Sequence, residues 1–167
     1  MDKIIKGTWG KQADTHWQFF LSDTLPSKIQ PSAVMGLPFW KGKIALTHHR
    51  QRGWEIPGGH IEDEDNGNLI ACLKRELKEE TGATKILSKK LFGYKKITNS
   101  ASKIAKRKKY PRQTIVPYYL VELGAKPIGA STIECSASKL FNIHDPIIAN
   151  SHDFELILIA FALRPSY

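Results

Sequence analysis

The stretch from Gly58 to Ala83, GGHIEDEDNGNLIACLKRELKEETGA, decides how this chain is read. Leu69, Leu73 and Leu77 recur four residues apart, Asn66 or Asn68 can cap the start, and Gly82 can stop the end, so a helix is predicted over about Leu69 to Thr81. On a helical wheel Glu76 and Glu80 fall within or beside the leucine stripe, Glu79 borders it, and Lys74 and Lys78 lie on the far side. A carboxylate turned toward a low-dielectric interior is costly unless it is neutralised, paired or metal-bound. Something positive must meet these three glutamates.

Two partners fit. Ion pairs are one answer, since Arg75 precedes Glu79 by four residues and lysines are plentiful. A divalent cation is the other: carboxylates at i, i+3 and i+4 converge on one point, and oxygen-only ligands select Mg²⁺ or Mn²⁺ over zinc. Arg75 would then orient Glu79 from behind. The Gly58-Gly59 pair lets the backbone approach an ion or phosphate closely.

The surroundings set bounds. The chain has 167 residues, 41% hydrophobic and 25% charged, which suits one globular domain over residues 1–167 with its own core. Two cysteines, Cys72 and Cys135, are too few for a disulfide framework and lack zinc spacing. The N-terminal residues carry charge and Trp where a secretory signal needs an apolar run, and no span is long enough for a membrane. A cytoplasmic protein, monomer or homodimer, with no membrane partner is the expectation.

The net charge is +9, and from Thr81 to Val121 eleven Lys and Arg occur with no Asp or Glu, densest over Lys103 to Arg112. Such a run is either a solvated loop or a field that attracts polyphosphates or RNA. Along the rest, PSAVMGLPFWKGKIALTHHR reads as two short strands around a turn at Trp40 to Gly42. GWEIPGG reads as a third extended piece ending in a turn. KILSKKLFGYKKI and QTIVPYYLVEL read as strands joined by the basic segment, and the tail reads as a second helix from Asn150 or Ser151. Interleaved strands and helices give an α/β or α+β class.

The quoted stretch resembles the box of the Nudix hydrolase family: a Gly, five residues, a Glu, seven residues, then Arg-Glu-aliphatic-X-Glu-Glu-X-Gly-aliphatic. Arg75, Glu76, Leu77, Glu79, Glu80 and Gly82 match its second half in register, with Ala83 last. WEIPGG before it is also typical. The first half departs from the pattern, with sixteen steps from Gly59 to Arg75 where the family has fourteen. Two extra residues must sit in EDEDNGN, most naturally at the Asn66-Gly67 turn, which leaves Glu64 or Asp65 as the loop acid.

The resemblance implies an α/β/α sandwich with a central mixed sheet and hydrolysis of a nucleoside diphosphate linked to another group. It implies that the Gly58 carbonyl with Glu76, Glu79 and Glu80 holds Mg²⁺, Mn²⁺ being an alternative, and that Arg75 supports them. Metals would screen the diphosphate charge and acidify the attacking water. Glu76 is one candidate general base and Glu134 another, with Glu122 a further option.

Within the family, PIIANSHDFELILIA is similar to the Ala-Asn step that opens the last helix of MutT-type 8-oxo-dGTP hydrolases, which makes Asn150 a candidate base reader. An amide offers both a donor and an acceptor to a base edge. Asn150 could equally be a helix cap. HHRQRGWEIPGGHIE is similar to MutT-type enzymes that hydrolyse oxidised nucleoside triphosphates. Their pattern has Arg where His48 stands, so Arg50 or Arg52 would take any phosphate contact. Trp54 is a candidate for stacking on a base, as are other aromatics near the strands. A longer substrate, such as the 5′ end of RNA or a dinucleoside polyphosphate, and a non-catalytic binding module stay as alternatives.

Overall fold

The computed structural model describes residues 3–9, 14–106 and 111–164. Nine strands are present among them: β1 (Lys3–Trp9), β2 (Thr15–Leu21), β3 (Ala33–Trp40), β4 (Lys43–His49), β5 (Gly53–Glu55), β6 (Gly58–His60), β7 (Ile86–Asn99), β8 (Gln113–Leu123) and β9 (Cys135–Phe141). The helices are α1 (Leu69–Thr81), α2 (Ala101–Lys106), α3 (Pro146–Ala149) and α4 (Phe154–Leu163). The sheet runs β1-β2-β7-β8-β3-β4-β5, with β6 also on β3 and β9 also on β4. It is mixed, because β3 and β8 pair in parallel while the other strand pairs are antiparallel.

Side-chain alternation along β3 and β8 explains why both faces are covered. Val34, Val121 and Leu123 pack with Leu73 and Leu77 of α1. Leu37, Phe39, Tyr118 and Leu120 pack with Leu156, Ile157 and Ala160 of α4. Gly36 lets α1 come close, since a Cβ there would lie 2.8 Å from a Leu73 methyl. Leu73 and Leu77 are fully buried, each contributing about 2 kcal/mol of apolar transfer.

The predicted bounds of α1 hold, and Asn68 rather than Asn66 is its cap: its Oδ1 accepts from the amides of Ile70 (2.9 Å) and Ala71 (3.2 Å). Gly82 closes the helix at φ 71°, where only glycine is unstrained.

Four features differ from the sequence reading. The β1–β2 hairpin extends the sheet through β7, although its Trp- and Lys-bearing sequence shows no clean alternation. β9 pairs along β4, so Glu134 precedes a final strand instead of following the last one. The tail holds two helices, not one: α3 is capped by Asp145, whose Oδ1 accepts the Ile147 amide at 3.0 Å, and it stops at Asn150. α4 then starts at Phe154. The Pro-Gly-Gly turn also continues as β6, which pairs with the start of β3. Among the described residues no helix is long and apolar enough to cross a membrane.

Candidate active site

Arg75 organises the acidic end of α1. Its Nη2 lies 2.9 Å from Asp65 Oδ2 and its Nε 3.2 Å from Asp65 Oδ1, a two-pronged pair. Nη1 donates to Glu76 Oε1 at 2.8 Å and to Glu79 Oε2 at 3.4 Å, and Nη2 also donates to the His60 carbonyl at 3.0 Å. Of the two candidate loop acids, Asp65 is the buried one (3% exposed), whereas Glu64 is 65% exposed and meets Arg75 at 3.4 Å. Asp65 sits in a short 3₁₀ turn over Asp63–Asp65 and also accepts the Glu62 amide at 2.9 Å. The Arg75 guanidinium, with that amide, holds the Asp65 carboxyl at about 2, below its ordinary value. The chain then bends through Asn66 (φ 50°) and Gly67 (φ 71°), both left-handed, at the turn the sequence offers for two extra residues.

Glu76 and Glu80 face the Gly58-Gly59 segment. Glu80 Oε2 accepts the Gly58 amide at 2.9 Å, and Oε1 accepts the Cys135 thiol at 3.2 Å. Burial pushes the Glu80 carboxyl up to about 7, against these two hydrogen bonds. Burial raises Glu76 as well, with Arg75 opposing it. A Cβ on Gly59 would stand 2.3 Å from Glu76 Oε1, and one on Gly58, at φ 150°, would stand 2.2 Å from the Val34 carbonyl oxygen. Both glycines are therefore required by close approach.

Glu79 behaves differently. Half exposed, it turns outward to Arg75. Among the described residues no group of three His, Cys, Asp or Glu side chains is arranged to hold one ion, and Glu79 Oε2 instead shares Arg75 Nη1 with Glu76. The reason is its position at the edge of the buried stripe. Glu76 and Glu80 nevertheless fit a hard divalent cation: both are oxygen donors, Glu76 is buried and Glu80 half-buried, and loss of water raises both.

The other predicted residues are dispersed around this centre. Arg52 is committed to Glu55, at 2.7 and 2.9 Å, and Glu55 is buried. Arg50 braces the loop before β9, donating through Nε to the Ile133 carbonyl (3.0 Å) and through Nη2 to the Thr132 carbonyl (3.4 Å). Trp54 is half-buried, edge-on to His48 and Phe141. Glu134 is exposed beside Cys135, and its carbonyl accepts the Arg50 amide. Glu122 lies on the α4 face, where burial raises its carboxyl against the pull of Arg164, so it does not share a face with α1. Asn150 is an exposed C-terminal cap of α3, with Nδ2 donating to the Pro146 carbonyl at 2.9 Å. The segment that follows it docks on β5: Ser151 Oγ donates to the Trp54 carbonyl at 3.3 Å, and Asp153 Oδ2 accepts the Ile56 amide at 3.3 Å. Of the basic run, Lys103 donates to Thr15 Oγ1, and residues 107–110 lie outside the described ones.

Sequence reasoning missed Cys135, Glu55 and Asp153. A buried Asp153 before an apolar helix and a Glu inside WEIPGG were visible signals, but Cys135 gave none.

The NUDIX domain family matches residues 30–158. Over 84 residues the chain is 37% identical to "Putative 8-oxo-dGTP diphosphatase YtkD" of Bacillus subtilis (strain 168), covering 50% of this chain and 51% of that protein. That match thus spans about half the length of the curated relative. A solved structure of the Bacillus subtilis pyrophosphohydrolase BsRppH has the same fold, with a TM-score of 0.64 at 21% identity over 95% of this chain and 96% of that one. A structure from work on MutT of Aliivibrio salmonicida and Vibrio cholerae gives 0.53 at 20% identity, over 79% and 96%. The NUDIX domain of Shewanella oneidensis NrtR, solved with ADP ribose, gives 0.54 at 18% identity, over 80% and 87%.

Proposed function

The chain belongs to the NUDIX family, and on that premise we propose that residues 1–167 act as one metal-dependent hydrolase domain for phosphoanhydride bonds in nucleoside diphosphate derivatives. The favoured substrates are oxidised (deoxy)nucleoside triphosphates, with water cleaving them to the nucleoside monophosphate and pyrophosphate. The observation that carries this reading is the placement of buried Glu76 and half-buried Glu80 against the Gly58-Gly59 backbone. A binding module has no need of inward-facing acids whose charge is only partly compensated.

Glu76, Glu80 and the Gly58 carbonyl would hold Mg²⁺ or Mn²⁺, with Glu79 joining from the rim. Bound there, the metal would neutralise phosphate charge and acidify a water. The chain's own residues do the positioning. Arg75 fixes Glu76 from one side, and Asp65 in turn fixes Arg75. The Gly58 amide fixes Glu80. Glu134, exposed on the rim, and Glu76 are the two candidates for taking the water proton. Asn150 keeps its Oδ1 for a base edge, and the chain just beyond it rests on β5, which leads directly into Gly58. The likeness to a diphosphatase named for 8-oxo-dGTP supports the oxidised purine.

The test is a pyrophosphate and phosphate release assay over a nucleotide panel with Mg²⁺ or Mn²⁺, run beside Glu80→Gln. Wild-type turnover that Glu80→Gln abolishes is expected. Equal inactivity of both proteins on every nucleoside diphosphate derivative would remove the enzyme reading. A second reading, an RNA 5′ end as substrate, is favoured by the acid-free run from Thr81 to Val121. Its signature is a steep loss of affinity with salt, which a mononucleotide would not show.

A further inference from the structure

β4 and β9 pair regularly from Ile44↔Phe141 to His48↔Ala137, and then the register slips so that His49 meets Cys135. Ser136 is the extra residue of this bulge, and its hydroxyl is held 2.8 Å from His48 Nδ1. Bulges beside functional sites serve to re-aim a side chain, and here the residue at the slip delivers a thiol to Glu80.

The backbone of Cys135 is fixed on every side. Its amide donates to Thr132 Oγ1 at 2.9 Å, and its carbonyl accepts the Thr132 amide at 2.8 Å and the Ser131 hydroxyl at 3.3 Å. Arg50 secures the same loop through the carbonyls of Thr132, Ile133 and Glu134. At the end of this brace the thiol, 1% exposed, reaches Glu80 Oε1, while Gly58 holds Oε2. Two unconnected strands, β6 and β9, thus grip the two oxygens of one carboxylate. Each carboxylate oxygen has further lone-pair capacity, so the grip sets direction without blocking a ligand.

We propose that Cys135 is a positioning residue: the braced loop 131–135 uses its thiol to hold Glu80 in the orientation that binds the metal. This rests on the reading of Glu80 as a metal ligand. It gives the buried cysteine a polar task that plain core packing would not require, and it makes Arg50 and Thr132 supports of the site and not phosphate contacts.

Direct Mn²⁺ binding, read from the EPR signal of free Mn²⁺, tests this without turnover. Cys135→Ala is expected to weaken Mn²⁺ binding about tenfold, as loss of a ligand's outer hydrogen-bond partner does, with Cys135→Ser restoring it to within about threefold of wild type. Thr132→Val, which loosens the loop and leaves the core intact, is expected to weaken binding in the same direction and serves if the alanine variant fails to fold. Glu80→Gln is the reference. Should it lose Mn²⁺ while Cys135→Ala and Thr132→Val bind like wild type, Cys135 is packing only and the proposal is wrong. Should Glu80→Gln bind Mn²⁺ like wild type, Glu80 is no ligand and the proposal falls together with that assignment.

Discussion

Arg75 Nη2 and Asp65 Oδ2 stand 2.9 Å apart, joining the middle of α1 to the loop that precedes it. The two lie ten positions apart in the chain, and the same guanidinium reaches Glu76. The loop's geometry and the carboxylate's geometry are therefore set together.

Asp65→Asn is expected to lower the melting temperature by at least a few degrees, whereas Glu64→Gln should leave it within about one degree, because Glu64 is mostly exposed. The sign with pH follows from the direction of the shift. Arg75 holds the folded-state Asp65 carboxyl at about 2, against an ordinary 3.8. Its stabilisation is complete above the ordinary value and is lost as pH falls through the folded one. Urea denaturation from pH 5 to about pH 2 should show wild type losing its advantage over Asp65→Asn across that window.

Glu80 has the opposite sign. Its carboxyl is raised from 4.5 to about 7 by burial, so the metal-free fold gains from it below the ordinary value and loses that gain as pH rises through about 7. The loss should amount to at most about 3 kcal/mol. Denaturation of metal-free wild type and Glu80→Gln between pH 4 and about pH 8 checks this, with a much flatter profile expected for the variant. In turnover, Glu80→Gln should cost about 100-fold or more.

The paired glycines separate fold from chemistry. Gly59→Ala puts its Cβ against the Glu76 carboxylate, which must swing off Arg75 to admit it, whereas no backbone atom is among the nearest three. Activity should fall about tenfold or more, with little change in melting temperature. Gly58→Ala meets the Val34 backbone at a φ that disfavours a side chain, and should destabilise by about 2–4 kcal/mol. Thermal melts run beside the release assay distinguish the two outcomes.

Asn150→Ala should leave stability within about 0.5 kcal/mol, since the residue is exposed. It should erode preference for 8-oxo-dGTP over dGTP by about tenfold if Oδ1 reads the base. Competition between the two nucleotides measures this. An unchanged ratio would leave Asn150 as the cap of α3 alone.

Legibility in the sequence followed the strength of local signals. Leu73, Leu77, Asn68 and Gly82 announced α1, because helix periodicity and capping act over a few residues. The wheel placed Glu76 and Glu80 inward and left Glu79 at the edge, and the structure keeps that distinction. Spacing alone did not tell that Glu79 would turn to Arg75. The β1–β2 hairpin and β9 were not legible, since CSASKLF has too few apolar residues to announce a strand. Its pairing is decided by β4, far away in sequence. Cys135 was illegible for the same reason: its role comes from a register slip, which no local pattern encodes. The tail was misread because Ile147 and Ile148 continue the apolar run up to Asn150, while Asp145 starts α3 through a side-chain hydrogen bond and Ser151 Oγ accepts the Asp153 amide in the turn before α4.

The Asn66-Gly67 bend has a practical consequence. It separates two anchored points, Asp65 on Arg75 and Asn68 on the first amides of α1, yet a Cβ on Gly67 would meet nothing within 4 Å. The bend is exposed, and lengthening an exposed loop costs little entropy, while the Asn68 amide donates to the Asp65 carbonyl at 2.8 Å and ties the two ends together. It is a natural splice point, where a short reporter segment or fluorophore-bearing linker whose ends keep that bond could be grafted a few residues from the carboxylates.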